Sequence, residues 1–98
     1  MKVVITPGAL ADLERIAEHI ETDNPERAIS FVGELREAAR RLAELPRGYP
    51  LIPRYERRGI RRRSYRRYGI LYRLDADRIL ILRFLGPGQD HDRALQLI

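Results

Sequence analysis

Residues 24–46, NPERAISFVGELREAARRLAELP, decide the fold because they join a helix start signal to an unbroken apolar stripe. Asn24 suits the cap of a helix, Pro25 its first turn and Glu26 the positive end of the helix dipole. Apolar residues then recur at intervals of three and four until Pro46 stops the helix: Ala28, Phe31, Val32, Leu35, Ala38, Ala39, Leu42 and Leu45. This spacing predicts an amphipathic helix with one face on a core.

A strand and a first helix precede this segment. Residues 2–6, KVVIT, are a β-branched run that predicts a strand, and Thr6 with Pro7 predicts a helix start. The helix should end near residues 22–23, so that the two helices form an antiparallel hairpin. Its apolar stripe is Leu10, Leu13, Ile16, Ala17 and Ile20, with Asp12, Glu14, Arg15, Glu18 and Glu21 between them.

The second half of the chain changes to a period of two. Residues 47–59 contain Pro and Gly breaks and predict a loop, and residues 59–65 predict a strand. Residues 67–84 predict an antiparallel hairpin that turns at residues 75–77, DAD. Within it, residues 79–82 are apolar at both odd and even positions, which predicts a strand that is covered on both faces.

The chain should end in a short helical turn. Residues 86–88, GPG, break the last strand, and residues 90–98 predict a terminal turn with Leu95 and Ile98 as its apolar contacts. The predicted order is therefore β-α-α-β-β-β, an α+β arrangement.

Composition excludes several classes of protein. A chain of 98 residues with 44% hydrophobic content predicts a single domain over residues 1–98. The absence of cysteine excludes a disulfide scaffold, a thiolate metal site and a Cys nucleophile. His19 and His91 are too far apart in the sequence to predict a histidine cluster. We therefore expect no metal ion and no cofactor.

The N-terminus, MKVVITPGAL, has only a short apolar run before Pro7. This run is far shorter than a signal-peptide core or the roughly 20 residues that cross a bilayer. We expect a soluble protein of the reducing cytoplasm, without a membrane partner.

The positive charge belongs to one half of the chain. Residues 1–46 carry six Lys/Arg and nine Asp/Glu, a net charge of −3, whereas residues 47–98 carry thirteen Arg and five Asp/Glu, a net charge of +8. All but one of the cations are Arg, which pairs with carboxylate or phosphate in bidentate geometry. An anionic partner is expected, and the charge alone leaves nucleic acid and acidic protein open.

The chain resembles the ParE/RelE superfamily of type II toxins over almost its whole length. The stretches that carry the resemblance are residues 11–17 (ADLERIA), 24–28 (NPERA), Phe31, 42–46 (LAELP), Gly48, Pro50, Gly59, 68–73 (YGILYR) and 79–83 (ILILR). The resemblance is to ParE-type toxins in particular. It implies a helical hairpin packed on a twisted antiparallel sheet, and an antitoxin that binds and silences the toxin.

The superfamily divides into two functions. RelE-like members resemble ribonucleases that cut mRNA on the ribosome, whereas ParE-like members are generally poisons of DNA gyrase. RNA cleavage needs a base, cations for the phosphorane charge and an acid for the leaving oxygen. Where RelE-like toxins place arginines, this chain has Gly69 and Gly88, and no Tyr follows Tyr72. These differences argue against the ribonuclease.

His91 is the residue that still supports a ribonuclease function, because some ribosome-dependent toxins of the superfamily use a C-terminal His as acid or base. Flanked by Asp90 and Asp92, it is otherwise interpreted as a surface residue at a helix start.

The arginine-rich stretch of residues 57–67, at the start of the predicted hairpin of residues 67–84, has three interpretations. Alternation along a strand places Arg61 and Arg63 on one face and Arg62 on the other, so one ligand cannot meet them all. The stretch is a solvated strand that resists edge-to-edge aggregation, a docking surface for an acidic antitoxin segment, or a phosphate contact. Tyr65 and Tyr68 could stack on bases, although Tyr in a strand is more often packed.

The resemblance thus implies a toxin that a ParD-like acidic antitoxin neutralises, that serves plasmid stabilisation and that inhibits DNA gyrase by binding. The alternative is a ribosome-dependent mRNA endoribonuclease, with the ribosome as partner and His91 as the catalytic residue. The candidate partner-binding residues are Arg61, Arg63, Arg83 and Tyr68.

Overall fold

The computed structural model describes residues 1–96. Its elements are β1 (Lys2–Ile5), α1 (Pro7–Glu21), α2 (Pro25–Arg40), β2 (Arg61–Tyr65), β3 (Tyr68–Asp75), β4 (Arg78–Leu85) and α3 (His91–Leu95), with 3₁₀ turns at Arg41–Glu44 and Glu56–Arg58. The α+β class and the β-α-α-β-β-β order are confirmed. A terminal helix also forms, but the predicted contact of Ile98 lies outside the described residues. Within residues 1–96, no helix has the length and apolar character needed to cross a membrane.

Both helix starts follow the sequence signals. The Thr6 side chain accepts a hydrogen bond from the Ala9 N–H at 3.3 Å, and the Asn24 side chain accepts one from the Arg27 N–H at 3.1 Å. Each cap satisfies a donor that the first helical turn leaves free.

The sheet is mixed, with strand order β1-β4-β3-β2. Tight turns join β2 to β3 and β3 to β4, and these pairs are antiparallel. β1 instead pairs with β4 in parallel, with Val4 opposite Leu80. The expectation of a wholly antiparallel sheet is therefore wrong for β1. Because the helical hairpin and two strands separate β1 from β4 along the chain, no tight turn dictates their direction.

The second helix ends earlier than its apolar stripe predicts. α2 stops at Arg40, and the chain tightens into the 3₁₀ turn Arg41–Glu44. A 3₁₀ turn has three residues per turn instead of 3.6, so the stripe rotates away from the core. Leu42 is still fully buried, whereas Leu45 is 58% exposed.

The buried face of α1 also differs from the predicted stripe. Leu10 is 41% exposed, whereas Ala9 and Asp12 are buried beside Leu13 and Ile16. The true face therefore follows a spacing of three and four that includes a carboxylate. The predicted stripe contained only apolar residues, so it left the charged Asp12 on the polar face of the helix.

Apolar residues cover the sheet on both faces, as residues 79–82 predicted. The core on the helical side joins α1 and α2 to Ile79 and Ile81 of β4. The core on the opposite side joins Leu82 of β4 to residues of the 47–60 loop and of α3, including Ile60 and Leu95.

We expect Leu35→Ala, Leu42→Ala and Ile81→Ala each to lower the free energy of unfolding by about 2–5 kcal/mol, because a fully buried side chain leaves a cavity when truncated. Urea denaturation measures the change. Ile29→Ala is the matched control, since Ile29 is 79% exposed, and it should change stability by less than about 0.5 kcal/mol. Equal losses at Ile29 and at the three buried positions would show that the faces are assigned wrongly.

Candidate partner-binding site

A buried carboxylate on α1 organises the site. Asp12 is 1% exposed and accepts hydrogen bonds from Arg83 Nε at 2.7 Å and Arg83 Nη2 at 2.9 Å. It also accepts one from the backbone N–H of Phe84 at 2.9 Å and forms an ion pair with Arg15. Five donor nitrogens from Arg15, Arg83 and Phe84 thus surround one carboxylate, as the burial of a charge requires.

Asp12 lies against a bulge in β4. The β3–β4 register pairs Leu71 with Arg83 but Tyr72 with Ile81, so that Leu82 is the extra residue. A bulge leaves backbone groups without ladder partners and shifts the side-chain alternation. Thr6 Oγ1 donates to the Ile81 carbonyl at 2.8 Å, and Asp12 accepts from the Phe84 N–H, so α1 and its cap bind backbone groups on either side of the extra residue Leu82.

Arg83 connects three elements. Besides Asp12, its Nη1 donates to the Ala94 carbonyl of α3 at 3.1 Å, and its side chain is 17% exposed. The hydrogen bonds to Asp12 raise the pKa of the Arg83 guanidinium above its ordinary value. Arg83, a predicted partner-binding residue, is thus first an internal ion-pair partner.

A groove runs beside this ion pair, between α1 and the segment that links β4 to α3. It consists of three adjoining cavities of about 520, 430 and 380 Å³. Arg83 lines the first and second, Arg15 the first and third, and Gln89 the second and third. We call this surface the α1–α3 groove. Its other lining residues include Gly8, Ala11, Leu82, Leu85, Ile16, Tyr68, Gly86 and Arg93.

The arginines of β2 lie elsewhere and are held by backbone carbonyls. Arg61 Nη1 donates to the Tyr49 carbonyl at 2.7 Å, and Arg63 Nη1 donates to the Ala38 carbonyl at 2.7 Å. Ala38 belongs to the last turn of α2, where carbonyls lose their intrahelical donors and a cation is favourable. The face shared by Arg61 and Arg63 is therefore bound to the rest of the chain.

Arg62, on the opposite face of β2, compensates in part for the glycine at position 69. A Cβ built on Gly69 would lie 2.7 Å from Arg62 Cζ, so the guanidinium covers this glycine. Arg62 Nε also donates to Ser64 Oγ at 3.2 Å. The guanidinium of Arg62 thus lies over position 69 of the sheet, although Arg62 belongs to the neighbouring strand β2.

His91 opens α3 and contacts residues far away in the sequence. Its ring lies edge-on to Tyr55 at a centroid distance of 6.2 Å, and its Nε2 is 3.5 Å from Asp92 Oδ1. Asp92 in turn pairs with Arg54 at 2.5 Å. Burial, followed by the interaction with Asp92, raises the pKa of the Tyr55 hydroxyl above its ordinary value.

Tyr68 is half-buried and packs against Phe31, with ring centroids 4.8 Å apart. It lines the third cavity of the groove together with Arg15. Of the four predicted partner-binding residues, the structure thus brings Arg83 and Tyr68 to one groove and places Arg61 and Arg63 outside it. Among residues 1–96, no group of three or more His, Asp or Glu side chains is placed to hold a metal ion.

Sequence reasoning missed Asp12, Arg15 and Tyr55 as site residues. The spacing of Asp12 from Ala9, Leu13 and Ile16 was a usable signal, because it places the carboxylate on the buried face. The contact between Tyr55 and His91 had no local signal, since it arises only when the loop and α3 cover the same face of the sheet.

Comparison with known proteins agrees with this architecture. Residues 3–91 match the family model described as ParE toxin of type II toxin-antitoxin system, parDE. A chain of the chromosomal ParDE TA system from P. aeruginosa superposes with a TM-score of 0.76 and 24% identity, over 89% of this chain and 96% of that chain. A chain of the toxin-antitoxin complex RelBE2 from Mycobacterium tuberculosis superposes with a TM-score of 0.65 and 26% identity, over 87% of this chain and 95% of that chain.

No curated protein matches the sequence. The family match nevertheless spans nearly all of the chain, and the fold superposes on both solved relatives. The chain belongs to the ParE toxins of type II toxin–antitoxin systems.

Proposed function

We propose that this ParE-type toxin is neutralised by an acidic, ParD-like antitoxin that occupies the α1–α3 groove, and that it acts in the cytoplasm by binding DNA gyrase rather than by catalysis. The observation that carries the proposal is the groove itself, in which exposed guanidinium groups adjoin apolar lining residues. In this proposal residues 1–98 are one toxin domain, and the pair serves plasmid stabilisation.

The chemistry of the groove favours an amphipathic acidic segment. Ala11 offers an exposed apolar contact in the first cavity and Pro87 does so in the third, whereas the lining residues Leu82 and Leu85 are only 6% and 1% exposed. Arg15 is 51% exposed at its side chain, and Arg93 is exposed as well. Apolar anchors with a cationic rim are the arrangement that an amphipathic segment with carboxylates on one side recognises.

The two solved relatives support a partner of this class. The printed descriptions name a ParDE system for one and a toxin-antitoxin complex, RelBE2, for the other. An antitoxin partner for this chain is inferred from that likeness and from the +8 charge of residues 47–98.

The arginines of the sheet favour binding over catalysis. Arg61 and Arg63 donate to backbone carbonyls, and Arg83 is bound to a carboxylate. These arginines connect elements of the chain to one another, so fewer cations remain free to face a phosphorane. Gly88 and the absence of a Tyr after Tyr72 remove two further groups that the resemblance assigns to the ribonuclease.

We expect Arg15→Glu to weaken the toxin–antitoxin complex by about tenfold or more, because a carboxylate at the groove rim repels an acidic segment. Titration calorimetry against the co-expressed antitoxin measures the affinity. Arg40→Glu is the matched control, since Arg40 is an exposed arginine of α2 that pairs with Glu37 and does not line the groove. Equal losses in the two variants would show that only overall charge matters.

The ribonuclease remains a second candidate because of the His91 cluster. The structure brings a Tyr, Tyr55, next to this His, and Arg54 and Asp92 lie beside them. An acid or base, a phenol and a guanidinium in one place are components of RNA cleavage. The cluster is exposed at Arg54, whose side chain is 77% accessible.

One set of assays separates the two functions. If the toxin binds gyrase, the purified protein should inhibit DNA supercoiling, His91→Ala should inhibit equally, and ribosomes programmed with mRNA should show no cleavage. If the cluster is catalytic, the wild type should cut mRNA on ribosomes, and His91→Ala should lower the rate by roughly 10²–10⁴. Supercoiling that is unaffected at every toxin concentration would rule out the gyrase target.

A further inference from the structure

The turn between β2 and β3 has an unusual composition for its backbone shape. β2 ends at Tyr65 and β3 begins at Tyr68, so Arg66 and Arg67 form a two-residue turn, which we call the arginine turn. Their φ angles are +47° and +71°, both in the left-handed region. Two-residue hairpin turns of this shape favour Asn followed by Gly, because side chains with a Cβ are strained there.

This strain is not a general feature of the chain. Among residues 1–96, four non-glycine residues have a positive φ: Arg54, Arg66, Arg67 and Ala76. Two adjacent long cationic side chains in this conformation are therefore maintained against the local preference of the backbone. Strained residues of this kind tend to occur where the side chain has a function.

The arginine turn already contacts one carboxylate of the chain itself. Arg66 is 65% exposed and reaches Glu34 Oε1 at 3.3 Å. Glu34 also accepts from Arg27 Nη1 at 2.5 Å and from the Tyr65 hydroxyl at 2.8 Å, and these partners hold the pKa of its carboxyl below the ordinary value. Arg67 is exposed, and none of the ion pairs within the described chain involves it. The turn thus already holds one carboxylate and has a guanidinium left for another.

The aromatic residues beside the turn favour a peptide over a nucleic acid. Single-stranded nucleic acids bind where aromatic faces are free to stack on bases. Here the rings of Tyr65 and Tyr68 pack on Phe31, with centroid distances of 6.3 and 4.8 Å, and the Tyr65 hydroxyl is bound to Glu34.

The arginine turn is continuous with the α1–α3 groove. Tyr68, the residue after Arg67, lines the third cavity together with Arg15 and Gln89. The arginine turn therefore lies one residue from the lining of the groove, which places Arg67 near a segment that leaves the groove beside Tyr68. We propose that the arginine turn is a second docking point for the acidic antitoxin segment, where Arg67 binds a carboxylate of that segment beside the Arg66–Glu34 ion pair. This inference rests on the proposed function, in which an antitoxin occupies the groove.

The test is the double variant Arg66→Asn with Arg67→Gly, which installs the residue pair that the turn shape prefers. It should raise the melting temperature, because strain is relieved, and weaken the complex with the co-expressed antitoxin by about tenfold, because the contact of Arg67 and the positive charge of Arg66 are lost. The affinity should also depend less on salt concentration. A purely structural turn would gain stability without losing affinity.

Two controls separate strain from charge. Ala76→Gly relaxes the other strained hairpin turn without changing charge and should leave antitoxin affinity unchanged. Arg57→Gln with Arg58→Gln removes two exposed cations of the same basic half and should weaken binding much less than the turn variant. Equal losses in the two charge-removing variants, an unchanged affinity of the turn variant, or a lower melting temperature would each overturn the proposal.

Failure of the proposed function can be distinguished from failure of this inference about the arginine turn. If the wild type captures no antitoxin, the turn is tested with a short Glu-rich peptide, its Gln-rich counterpart and a single-stranded oligonucleotide. Binding of the Glu-rich peptide that is lost in the turn variant supports a carboxylate site. Equal binding of both peptides, or loss of oligonucleotide binding alone, would contradict it.

Discussion

The contact between the Asp12 carboxylate and the bulge of β4 is the interaction on which the rest of the structure depends. The ion pair between Asp12 and Arg83 joins residues that are 71 positions apart in the sequence. Arg83 also donates to the Ala94 carbonyl, which connects the pair to α3. The same carboxylate accepts a hydrogen bond from the backbone N–H of Phe84, which lies two residues beyond the extra residue Leu82. Because a buried charge is costly without partners, this contact fixes α1 against the sheet in one position and forms the floor of the α1–α3 groove.

Local signals were sufficient for most of the fold. Thr6 and Asn24 capped the helices where the sequence placed the caps, and the change of period after Pro46 identified the strands. Three features escaped because they depend on tertiary contacts. These are the parallel pairing of β1, the 3₁₀ turn at the end of α2 and the burial of Asp12. A charged residue is assigned to the surface by default, and only its partner in β4 reverses that assignment.

The site was less predictable than the fold. The sequence pointed to arginines as a class, but it could not tell which guanidinium groups the chain binds internally. Alternation placed Arg61 and Arg63 on one strand face, yet backbone carbonyls of the 47–60 loop and of α2 occupy them. The arginines left at the surface, such as Arg15 and Arg67, follow from the packing of α1 and from a two-residue turn. The basic half of the chain is thus partly scaffold and partly binding surface.

A double-mutant cycle on Asp12→Leu and Arg83→Met tests the central role of this ion pair most directly, with urea denaturation as the readout. Each single variant should lose about 3–5 kcal/mol of stability, because Asp12→Leu leaves Arg83, 17% exposed, without its carboxylate, and Arg83→Met leaves Asp12, 1% exposed, with Arg15 as its remaining cation. The double variant should recover much of that loss, with a coupling energy of about 2 kcal/mol or more. Losses that add to within about 0.5 kcal/mol would contradict the account, because the two side chains would then stabilise the fold independently.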